Sequence, residues 1–551
     1  MRVLGINAVF HDPSAALVVD GAVVAAAEEE RFSRRKHGKR PVPFSAWELP
    51  EQSAAWCLSV AGIDASSLDA VAYSFDPTLC RPAEELGLKD PWDWLRQEYA
   101  RRAPTFLAEA LPGLDPAIVR FVPHHAAHAA SAALAAPCEY GNGDCAVLVL
   151  DGRGEVASHL SGRYHDGLLR SYAAQGLPHS LGLLYEDLTV HCGFMRSSDE
   201  YKVMALASYG QPRFLPELRE AIQVGDDGGF TIAALDLASF TKALPLGAEP
   251  TPEHADLACS VQQRLEEVVL ELARWLYDAS GGAKHLAMAG GVALNCVANA
   301  RLAAEGPYET VWVQPAAGDA GTALGAALHV ARDLGVVSAP MPGVALGRGF
   351  TEAEIEAELR RARLPYSRPP SIAEAVAQAL AENGIVAWFQ GRAEYGPRAL
   401  GHRSLLAHPG DADNTERLND VKGREQFRPV APMVLRERAA ALFSGVLPSP
   451  YMLFVHQVDP GWRDRIPAVV HVDGTARVQT VSGDEEPLVA QMLRDFERRT
   501  GLPVVVNTSL NTAGRPMVDT PHDVLELFGS APIDLLAIGP FAVYRRDAFG
   551  G

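Results

Sequence analysis

The chain has 551 residues, of which 48% are hydrophobic and 21% are charged, a composition that excludes a largely disordered chain. A chain of this length typically folds into two to four domains, and no run of about 20 apolar residues predicts a membrane-spanning helix. The net charge of −19, from 49 basic and 68 acidic residues, disfavours nucleic acid as a partner, because an acidic surface repels phosphate backbones.

The seven cysteines form no C-x-x-C pair. This pattern disfavours a disulfide framework or a zinc ribbon and favours a reducing compartment. The first seven residues predict a strand that is not preceded by a signal peptide. We therefore expect a cytoplasmic protein.

A strand followed by a hairpin is predicted twice in the first half of the chain. The predicted strands are 2–7, 14–19 and 22–27 in the first copy and 146–150, 155–164 and 168–173 in the second. Each hairpin has an Asp-Gly turn, Asp20-Gly21 and Asp166-Gly167, and this pair tolerates the positive φ that a tight turn needs. The pattern indicates an internal duplication of the kind that an actin-like nucleotide-binding fold requires. Two unrelated hairpins are the alternative.

Helices and strands alternate through the rest of this half. Helices are predicted over 123–136 and 261–279, a further helix begins at 292, and another ends at 334. Strands are predicted at 284–288 and 310–314. The segment 336–348 contains Pro and Gly without periodicity and predicts a domain boundary. We therefore predict an α/β protein with a duplicated actin-like (ASKHA) domain over 1–340 and a second domain over 350–551.

The second domain is predicted to be mixed α/β, with polar residues at strand ends. The predicted elements are helices at 352–363 and 372–383, a strand at 385–389, a hairpin over 469–478 with an Asp473-Gly474 turn, and a strand at 502–506 that stops at Asn507. Basic residues are concentrated at 396–403 and 422–428, and we interpret Arg477 and the polar segment 507–511 as further parts of the same site. In an acidic chain such clustering favours a polyanion site over a solvated face.

His124 and His128 stand four residues apart on a predicted helix, so both imidazoles face one side and can bind one metal ion. Asp151 and Asp319 follow predicted strands and lie beside glycines. Two histidines with carboxylates are typical of an iron or manganese centre with open positions, which can polarise a carbonyl. The alternative is a pair of solvated or capping histidines. A zincin site is excluded, because residue 125 is His and not Glu.

Three glycine-bearing turns, at 151–154, 290–295 and 318–321, follow predicted strands. Their exposed backbone N–H groups suit a phosphate or an adenosine. His11, in the loop 9–13, is either a turn residue or a base. Lys36, in the basic run 34–39, either faces solvent or contacts a phosphate.

Together these motifs resemble those of the O-carbamoyltransferase family of antibiotic and nodulation-factor biosynthesis. The motifs are His11, His124-x-x-x-His128, Gly291-Val-Ala-Leu-Asn295, Gly318-Asp-Ala-Gly-Thr-Ala-Leu-Gly325, Glu394-Tyr-Gly-Pro-Arg398-Ala-Leu-Gly401 and Asn507-Thr-Ser-Leu-Asn511. Members join an actin-like domain, similar to the universal tRNA threonylcarbamoyl transferase, to a YrdC-like domain. The YrdC-like signature is matched by Lys422-x-Arg424 and Ser509-x-Asn511.

The resemblance implies a first reaction in the YrdC-like domain, which makes carbamoyladenylate from carbamoyl phosphate and ATP with Mg²⁺. The residues implied for this site are Arg398, Lys422, Arg424, Arg428, Gly474, Arg477, Asn507, Ser509 and Asn511. Within that set, Arg398 and Arg428 would hold carbamoyl phosphate. The intermediate would then move inside the protein to the actin-like domain.

The second reaction implied by the resemblance transfers the carbamoyl group to an alcohol and releases AMP. Fe²⁺ would be held by His124, His128, Asp151 and Asp319, the adenylate would contact Lys36, Asp151, Gly152, Gly291, Asn295 and Asp319, and His11 would deprotonate the alcohol. If Asp151 is not the ligand, Asp144 or Glu155 is the candidate. The segment 197–202 is a candidate for contacting the acceptor.

Two rival functions are left open at this stage, a tRNA threonylcarbamoyl-transferase-like enzyme and an actin-like ATPase or sugar kinase with a regulatory C-terminal domain. The negative net charge disfavours the first, and the second leaves the metal ligands without a role. The sequence does not identify the acceptor, and aminoglycoside, macrolactam, cephem and glycopeptide alcohols all fit. A homodimer is one assembly left open.

Overall fold

The computed structural model describes residues 1–38 and 48–550 of the chain. These residues form two compact units, with the division between Pro342 and Gly343. Lys39, at the end of the basic run, lies outside the described residues. Within the described ranges, no helix combines the length and the apolar character needed to cross a bilayer.

The first unit contains two five-stranded sheets and a two-stranded hairpin. Its strands are β1 Arg2–Asn7, β2 Ser14–Val19, β3 Ala22–Glu28, β4 Ala70–Tyr73, β5 Val119–Phe121, β6 Cys145–Leu150, β7 Ala157–His165, β8 Leu168–Gly176, β9 Ile222–Val224, β10 Phe230–Ile232, β11 His285–Ala289 and β12 Thr310–Val313. The sheet orders are β3-β2-β1-β4-β5 and β8-β7-β6-β11-β12.

The two large sheets have the same topology. In each sheet, three consecutive strands are antiparallel. A fourth strand pairs in parallel with the first of them, and a fifth pairs in parallel with the fourth. The structure therefore confirms the predicted duplication and the actin-like fold class. In each copy the loop after the first strand carries a site residue, His11 between β1 and β2 and Asp151 between β6 and β7.

Helices cover these sheets. They are α1 Glu30–Ser33, α2 Glu51–Ala61, α3 Asp93–Ala110, α4 His124–Ala133, α5 Leu181–His191, α6 Glu200–Ala207, α7 Leu215–Ala221, α8 Pro252–Ala279, α9 Cys296–Glu305 and α10 Ala320–Asp333. The helix predicted from 292 begins later, at Cys296, because the Asn295 side chain accepts the N–H of Ala298 as its N-cap. A short 3₁₀ turn, Gly291–Leu294, precedes it.

Helices α4 and α10 pack against each other at the centre of the unit. Helix α4 follows the first sheet along the chain but packs on β6 and β11, and α10 follows the second sheet but packs on β1 and β2. Gly325 makes the close approach possible, because a Cβ there would lie 1.8 Å from the carbonyl oxygen of Ala127. This contact sets the distance between the histidines of α4 and Asp319 at the start of α10.

The second unit is built on a seven-stranded mixed sheet with a small three-stranded sheet beside it. Its strands are β13 Val386–Phe389, β14 Arg403–Ala407, β15 Ala431–Leu435, β16 Phe443–Ser444, β17 His456–Val458, β18 Thr475–Ala476, β19 Gln479–Val481, β20 Val504–Ser509, β21 Leu535–Ile538 and β22 Phe541–Tyr544. Its helices are α11 Glu352–Arg361, α12 Ile372–Ala381, α13 Asp413–Lys422, α14 Arg436–Ala439, α15 Pro460–Arg463, α16 Pro487–Thr500, α17 Pro521–Ser530 and α18 Arg545–Phe549. The large sheet runs β19-β15-β20-β14-β13-β21-β22.

Two predicted elements of this unit were wrong in detail. The Asp473-Gly474 turn does not join two strands of one hairpin, because β18 pairs with the more distant β17. Strand β20 does not stop at Asn507 but continues to Ser509, because β14 pairs with Thr508 and Ser509 beyond the point where the pairing with β15 ends. The mixed α/β character is as predicted.

Candidate metal centre and binding sites

His124 and His128 lie on one face of α4, which begins at His124 directly after Pro123. Both side chains are fully buried. The Nδ1 of His124 lies 3.1 Å from the carbonyl oxygen of Ser74, so a proton on Nδ1 leaves Nε2 as the ligand atom. The helix thus presents two Nε2 atoms on one side.

Asp151 and Asp319 approach these atoms from the other copy of the duplication. The Oδ2 atom of Asp151 lies 3.4 Å from the Nε2 of His124 and 3.8 Å from that of His128. The Oδ1 atom of Asp319 lies 3.6 Å from both. One ligand atom from each of the four residues lies within 4.8 Å of the others, and all four residues are buried.

The donor set fits a divalent transition metal. The Nε2 atoms of His124 and His128 and the Oδ2 atom of Asp319 are buried without a hydrogen-bond partner among the described residues. Buried polar atoms are normally paired, and a cation shared by the two imidazoles and the carboxylates would satisfy them. Two imidazoles and two carboxylates also leave coordination positions for a substrate oxygen.

Charge at this centre is balanced between the histidines and the carboxylates. Burial alone would lower the pKa of His124, but the carboxylates of Asp151 and Asp319 outweigh it and raise this pKa well above its usual value. Burial would raise the pKa of both carboxyls, yet the neighbouring histidines hold both pKa values far below the usual range. In the metal-free centre the two carboxylates therefore favour the protonated form of His124.

We expect metal binding to release between one and two protons per chain at pH 7, because the proton on His124 must leave before Nε2 can bind the cation and the same cation lowers the pKa of the neighbouring His11. The affinity should accordingly rise with pH and fall as the solution is acidified. Calorimetric titration of the metal-free protein with Fe²⁺ under anaerobic conditions, in two buffers of different ionisation enthalpy, measures this number. An identical heat in both buffers would contradict the protonated state of His124.

His11 stands at the edge of the centre, with its Nε2 atom 3.8 Å from the Oδ2 of Asp319. Its Nδ1 lies 2.9 Å from Oδ2 of Asp12, and the other oxygen of Asp12 lies 2.8 Å from Nδ1 of His37. Asp12 therefore fixes the tautomer in which Nδ1 of His11 carries the proton and Nε2 is free to accept one. The side chain of His11 is 31% exposed, so a substrate can reach it.

The acid–base state of His11 depends on the metal. Burial lowers the pKa of His11, but Asp319, Asp12 and Asp151 raise it to about 10 in the metal-free centre. A bound cation neutralises the two carboxylates that are its ligands and therefore moves this pKa back toward its ordinary value. His11 is thus suited to act as a base only when the centre is loaded.

Three other residues predicted to contact an adenylate are hydrogen-bonded in the loops that follow β6 and β11. The backbone N–H of Gly291 donates to Oδ1 of Asp151 at 2.8 Å, and the carbonyl oxygen of Gly152 accepts from Ser180 Oγ at 2.7 Å. Asn295 is buried, caps α9 and is hydrogen-bonded to Gln262. These three residues line or support the loops around Asp151.

Lys36 is half-buried and precedes His37, the histidine that shares Asp12 with His11. The backbone N–H of His37 donates to Glu30 Oε2 at 2.8 Å. The turn that carries Lys36 is therefore held against the His11 loop through the contact of His37 with Asp12.

In the second unit the structure brings Lys422, Ser509 and Asn511 together. The Nζ of the buried Lys422 lies 3.0 Å from Ser509 Oγ and 2.7 Å from Asn511 Oδ1. It also donates to the Ser509 carbonyl oxygen. The Lys-x-Arg and Ser-x-Asn motifs, which are remote in sequence, therefore form one polar cluster at the end of β20.

Asn507 connects this strand to the segment that carries Arg398. Its amide donates to the carbonyl oxygen of Ala399 at 3.1 Å and to Gln479 at 2.7 Å, and Gln479 donates to the carbonyl oxygen of Leu400 at 2.8 Å. Asn507 is thus buried and holds the 398–401 segment against the sheet.

The remaining predicted residues lie on nearby loops of the second unit. Arg424 donates to Asn419, and Arg428 pairs with Glu425 at 3.5 Å, so both bond within the segment around the end of α13. Gly474 has a φ of +79° and packs against the guanidinium of Arg463. Arg477 lies between β18 and β19. The pKa of His471 is lowered to about 4, mainly by burial and also by the positive charge of Arg477, whereas the carboxylate of Asp473 raises it.

The structure also decides between the carboxylates considered for the metal. Asp144 is 54% exposed and pairs with Arg163 and His165, away from the cluster. Glu155 is buried, and its Oε1 accepts the backbone N–H groups of Asp76 and His124. Neither belongs to the four-residue cluster, which contains Asp151.

Sequence reasoning missed Asp12 and His37, and it considered Glu155 only as an alternative metal ligand. Asp12 follows His11 directly in a polar loop, and that adjacency was a usable signal. The contact of His37 with Asp12 joins residues 25 positions apart, and the contact of Glu155 with His124 joins residues 31 positions apart. No spacing rule within one helix or turn predicts such pairs.

Comparison with known protein families gives matches along most of the chain. A model described as carbamoyltransferase N-terminus matches residues 2–111 and 103–328, and one described as carbamoyltransferase C-terminus matches residues 377–545.

Individual proteins match over the whole length. An uncharacterized protein of Synechocystis sp. is 37% identical over 612 aligned positions, covering 99% of this chain and 97% of that protein. Nodulation protein NolNO of Sinorhizobium fredii is 37% identical over 569 positions, covering 98% of this chain and 80% of its own length. Among solved structures, HypF of T. kodakarensis is 14% identical with a TM-score of 0.33, covering 60% of this chain and 48% of that one.

Proposed function

The chain belongs to the carbamoyltransferase family, and we propose that it is an ATP-dependent O-carbamoyltransferase that acts on a hydroxyl of a secondary metabolite. The observation that carries this proposal is the presence of two separate polar sites, one in each unit. One is the His–Asp cluster with His11 at its edge in the first unit, and the other is the Lys422–Ser509–Asn511 cluster in the second.

The second unit is proposed to make carbamoyladenylate. Water removes the phosphoryl group of carbamoyl phosphate, and an oxygen of the resulting carbamate attacks the α-phosphorus of ATP and displaces pyrophosphate. Both substrates are polyanions, so Arg398, Arg428 and Arg477 would bind and orient them. Lys422, held by Ser509 and Asn511, would bind the ATP phosphates together with Mg²⁺.

The first unit is proposed to transfer the carbamoyl group. His124, His128, Asp151 and Asp319 would hold Fe²⁺, which when bound supplies a Lewis acid that polarises the carbamoyl oxygen. Gly152 and Gly291, whose backbone groups lie beside Asp151, would contact the adenylate, and so would Lys36, Asn295 and the carboxylates of Asp151 and Asp319.

His11 is proposed to take the proton of the acceptor hydroxyl on Nε2, while Asp12 holds Nδ1–H. The hydroxyl oxygen then attacks the carbamoyl carbon, the bond from that carbon to the phosphate oxygen breaks, and AMP leaves. An imidazole fixed in one tautomer by a carboxylate is well matched to this task.

Mass spectrometry of reaction products tests the proposal as a whole. The enzyme loaded with Fe²⁺ is incubated with ATP, Mg²⁺, carbamoyl phosphate and a panel of alcohols from aminoglycosides, macrolactams, cephems and glycopeptides. We expect one of them to gain a carbamoyl group, with AMP and pyrophosphate formed in equal amounts. Modification of tRNA in place of every small alcohol would contradict the proposal and favour the threonylcarbamoyl-transferase-like function.

We expect Ser509→Ala to lower adenylate formation about 10–100-fold, because a hydrogen bond to a charged group contributes about 1.5–3 kcal/mol. The Ser509 hydroxyl also lies 3.0 Å from the Lys422 ammonium, so its loss loosens the lysine. Pyrophosphate release from ATP measures the first reaction. Transfer from chemically supplied carbamoyladenylate should be unchanged, and its loss would show that the two reactions are not divided between the units.

A further inference from the structure

Glu155 connects the loop of Asp151 with the start of α4, which carries the two histidines, and with the segment after β4. It lies four residues after Asp151 in the loop between β6 and β7, and its side chain is buried. Its Oε1 atom accepts the backbone N–H of His124 at 2.8 Å and that of Asp76 at 2.8 Å. One carboxylate oxygen therefore holds the start of α4 and the segment after β4.

The start of α4 has no other side-chain cap of its own, because the preceding residue is Pro123. The first N–H groups of a helix need acceptors, and a carboxylate there also interacts favourably with the helix dipole. Glu155 supplies this acceptor from a distant loop. Its position fixes where the histidines of α4 lie relative to Asp151.

The second hydrogen bond of Glu155 acts on the orientation of His124. Asp76 lies two residues after Ser74, whose carbonyl oxygen is 3.1 Å from Nδ1 of His124. By holding the segment 74–76, Glu155 also holds the acceptor that orients the imidazole. Both the place and the rotation of this ring thus depend on one buried oxygen atom.

We propose that Glu155 is a positioning residue of the metal centre, which sets the spacing between the His pair of α4 and Asp151 without touching the metal. This inference rests on the proposed metal site. Partners outside the ligand set that orient ligands typically contribute 10–100-fold to metal affinity. The same loss is expected when the acceptor of Glu155 is removed.

The chain offers a matched control in Glu29. It is a buried glutamate of the same unit, and its carboxylate accepts the N–H groups of Gln52 and Ser53 at the start of α2, at 3.2 and 2.8 Å. That helix also follows a proline, Pro50. Glu29→Ala therefore removes an equivalent cap away from the four-residue metal cluster.

The test measures binding of Co²⁺, a redox-stable probe, to the metal-free full-length protein by competition with a chromophoric chelator. The visible spectrum of bound Co²⁺ reports its coordination geometry. We expect Glu155→Ala to raise the Kd about 10–100-fold and to change the spectrum. Glu155→Gln retains the Oε1 acceptor and should keep both near wild type, and Glu29→Ala should lower Tm without changing the Kd.

Three results would overturn the role of Glu155. The first is an unchanged Kd for Co²⁺ in Glu155→Ala. The second is an equal loss of Co²⁺ affinity in Glu155→Gln, which would indicate that only the charge of Glu155 matters. The third is an equal loss of Co²⁺ affinity in Glu29→Ala, which would indicate a general loosening of the unit. If Glu155→Ala does not fold, Glu155→Asp, whose oxygen is withdrawn by one methylene, decides in its place and should weaken binding. A wild-type protein that does not bind Co²⁺ would overturn the metal site itself, whereas unchanged binding in Glu155→Ala leaves the proposed function standing.

Discussion

His11→Asn is expected to lower carbamoyl transfer to the acceptor alcohol about 10²–10⁴-fold, the usual cost of losing a general base. Asparagine has a similar shape but cannot take a proton at the position of Nε2. This atom lies 3.8 Å from Asp319 at the edge of the metal cluster, where the attacking hydroxyl has to lose its proton. Product formation with saturating carbamoyladenylate measures the effect.

The first reaction provides the internal control for this variant. Carbamoyl-phosphate-dependent release of pyrophosphate from ATP should stay near the wild-type rate, because the residues proposed for it lie in the other unit. Ser509→Ala should give the opposite pattern. Equal loss of both activities in His11→Asn would show that His11 supports adenylation or folding and not proton transfer.

His128→Ala is expected to lower metal affinity by more than 100-fold, beyond the range typical of an outer partner, because it removes a ligand. The Nε2 of His128 lies 3.6 Å from Asp319 and 3.8 Å from Asp151, so three ligands would be left around a larger space. Iron content per chain after anaerobic reconstitution and desalting measures the loss.

His125→Ala is the matched comparison for this experiment. His125 lies on the same helix and is buried, but it is not a member of the four-residue cluster, and burial lowers its pKa to about 3. This variant loses similar packing and should keep about one iron per chain. Full iron content in His128→Ala would contradict the ligand assignment.

Local patterns in the sequence were sufficient to predict the three antiparallel strands of each copy in the first unit, whereas the short strands β4 and β5 were not predicted. The two Asp-Gly turns fixed both hairpins, and the recurrence of the pattern indicated the duplication that the sheet orders confirm. The pairing of β18 with β17 could not be predicted in this way, because it joins strands separated by a loop without a short turn. Strand ends were also harder to predict, since pairing with β14 alone extends β20 from Asn507 through Ser509.

The metal cluster was predictable for a different reason. His124 and His128 are related by helix geometry. Asp151 and Asp319 each follow a strand of the second sheet, and the carboxyl ends of these two parallel strands lie at the same end of that sheet. Contacts without such periodicity were missed, such as the hydrogen bonds of Glu155 and Asp12. They depend on how loops from separate parts of the chain come together after folding.

The exchange of helices between the two copies has a consequence for how the centre is assembled. Residues of the first copy supply His11, His124 and His128, and those of the second supply Asp151 and Asp319, so neither copy alone holds a complete set. Since α4 packs on the second sheet and α10 on the first, the repeats are interlocked where the ligands meet. A metal ion bound at the proposed site would therefore join the two repeats, and any motion that parts them would separate His11, His124 and His128 from Asp151 and Asp319.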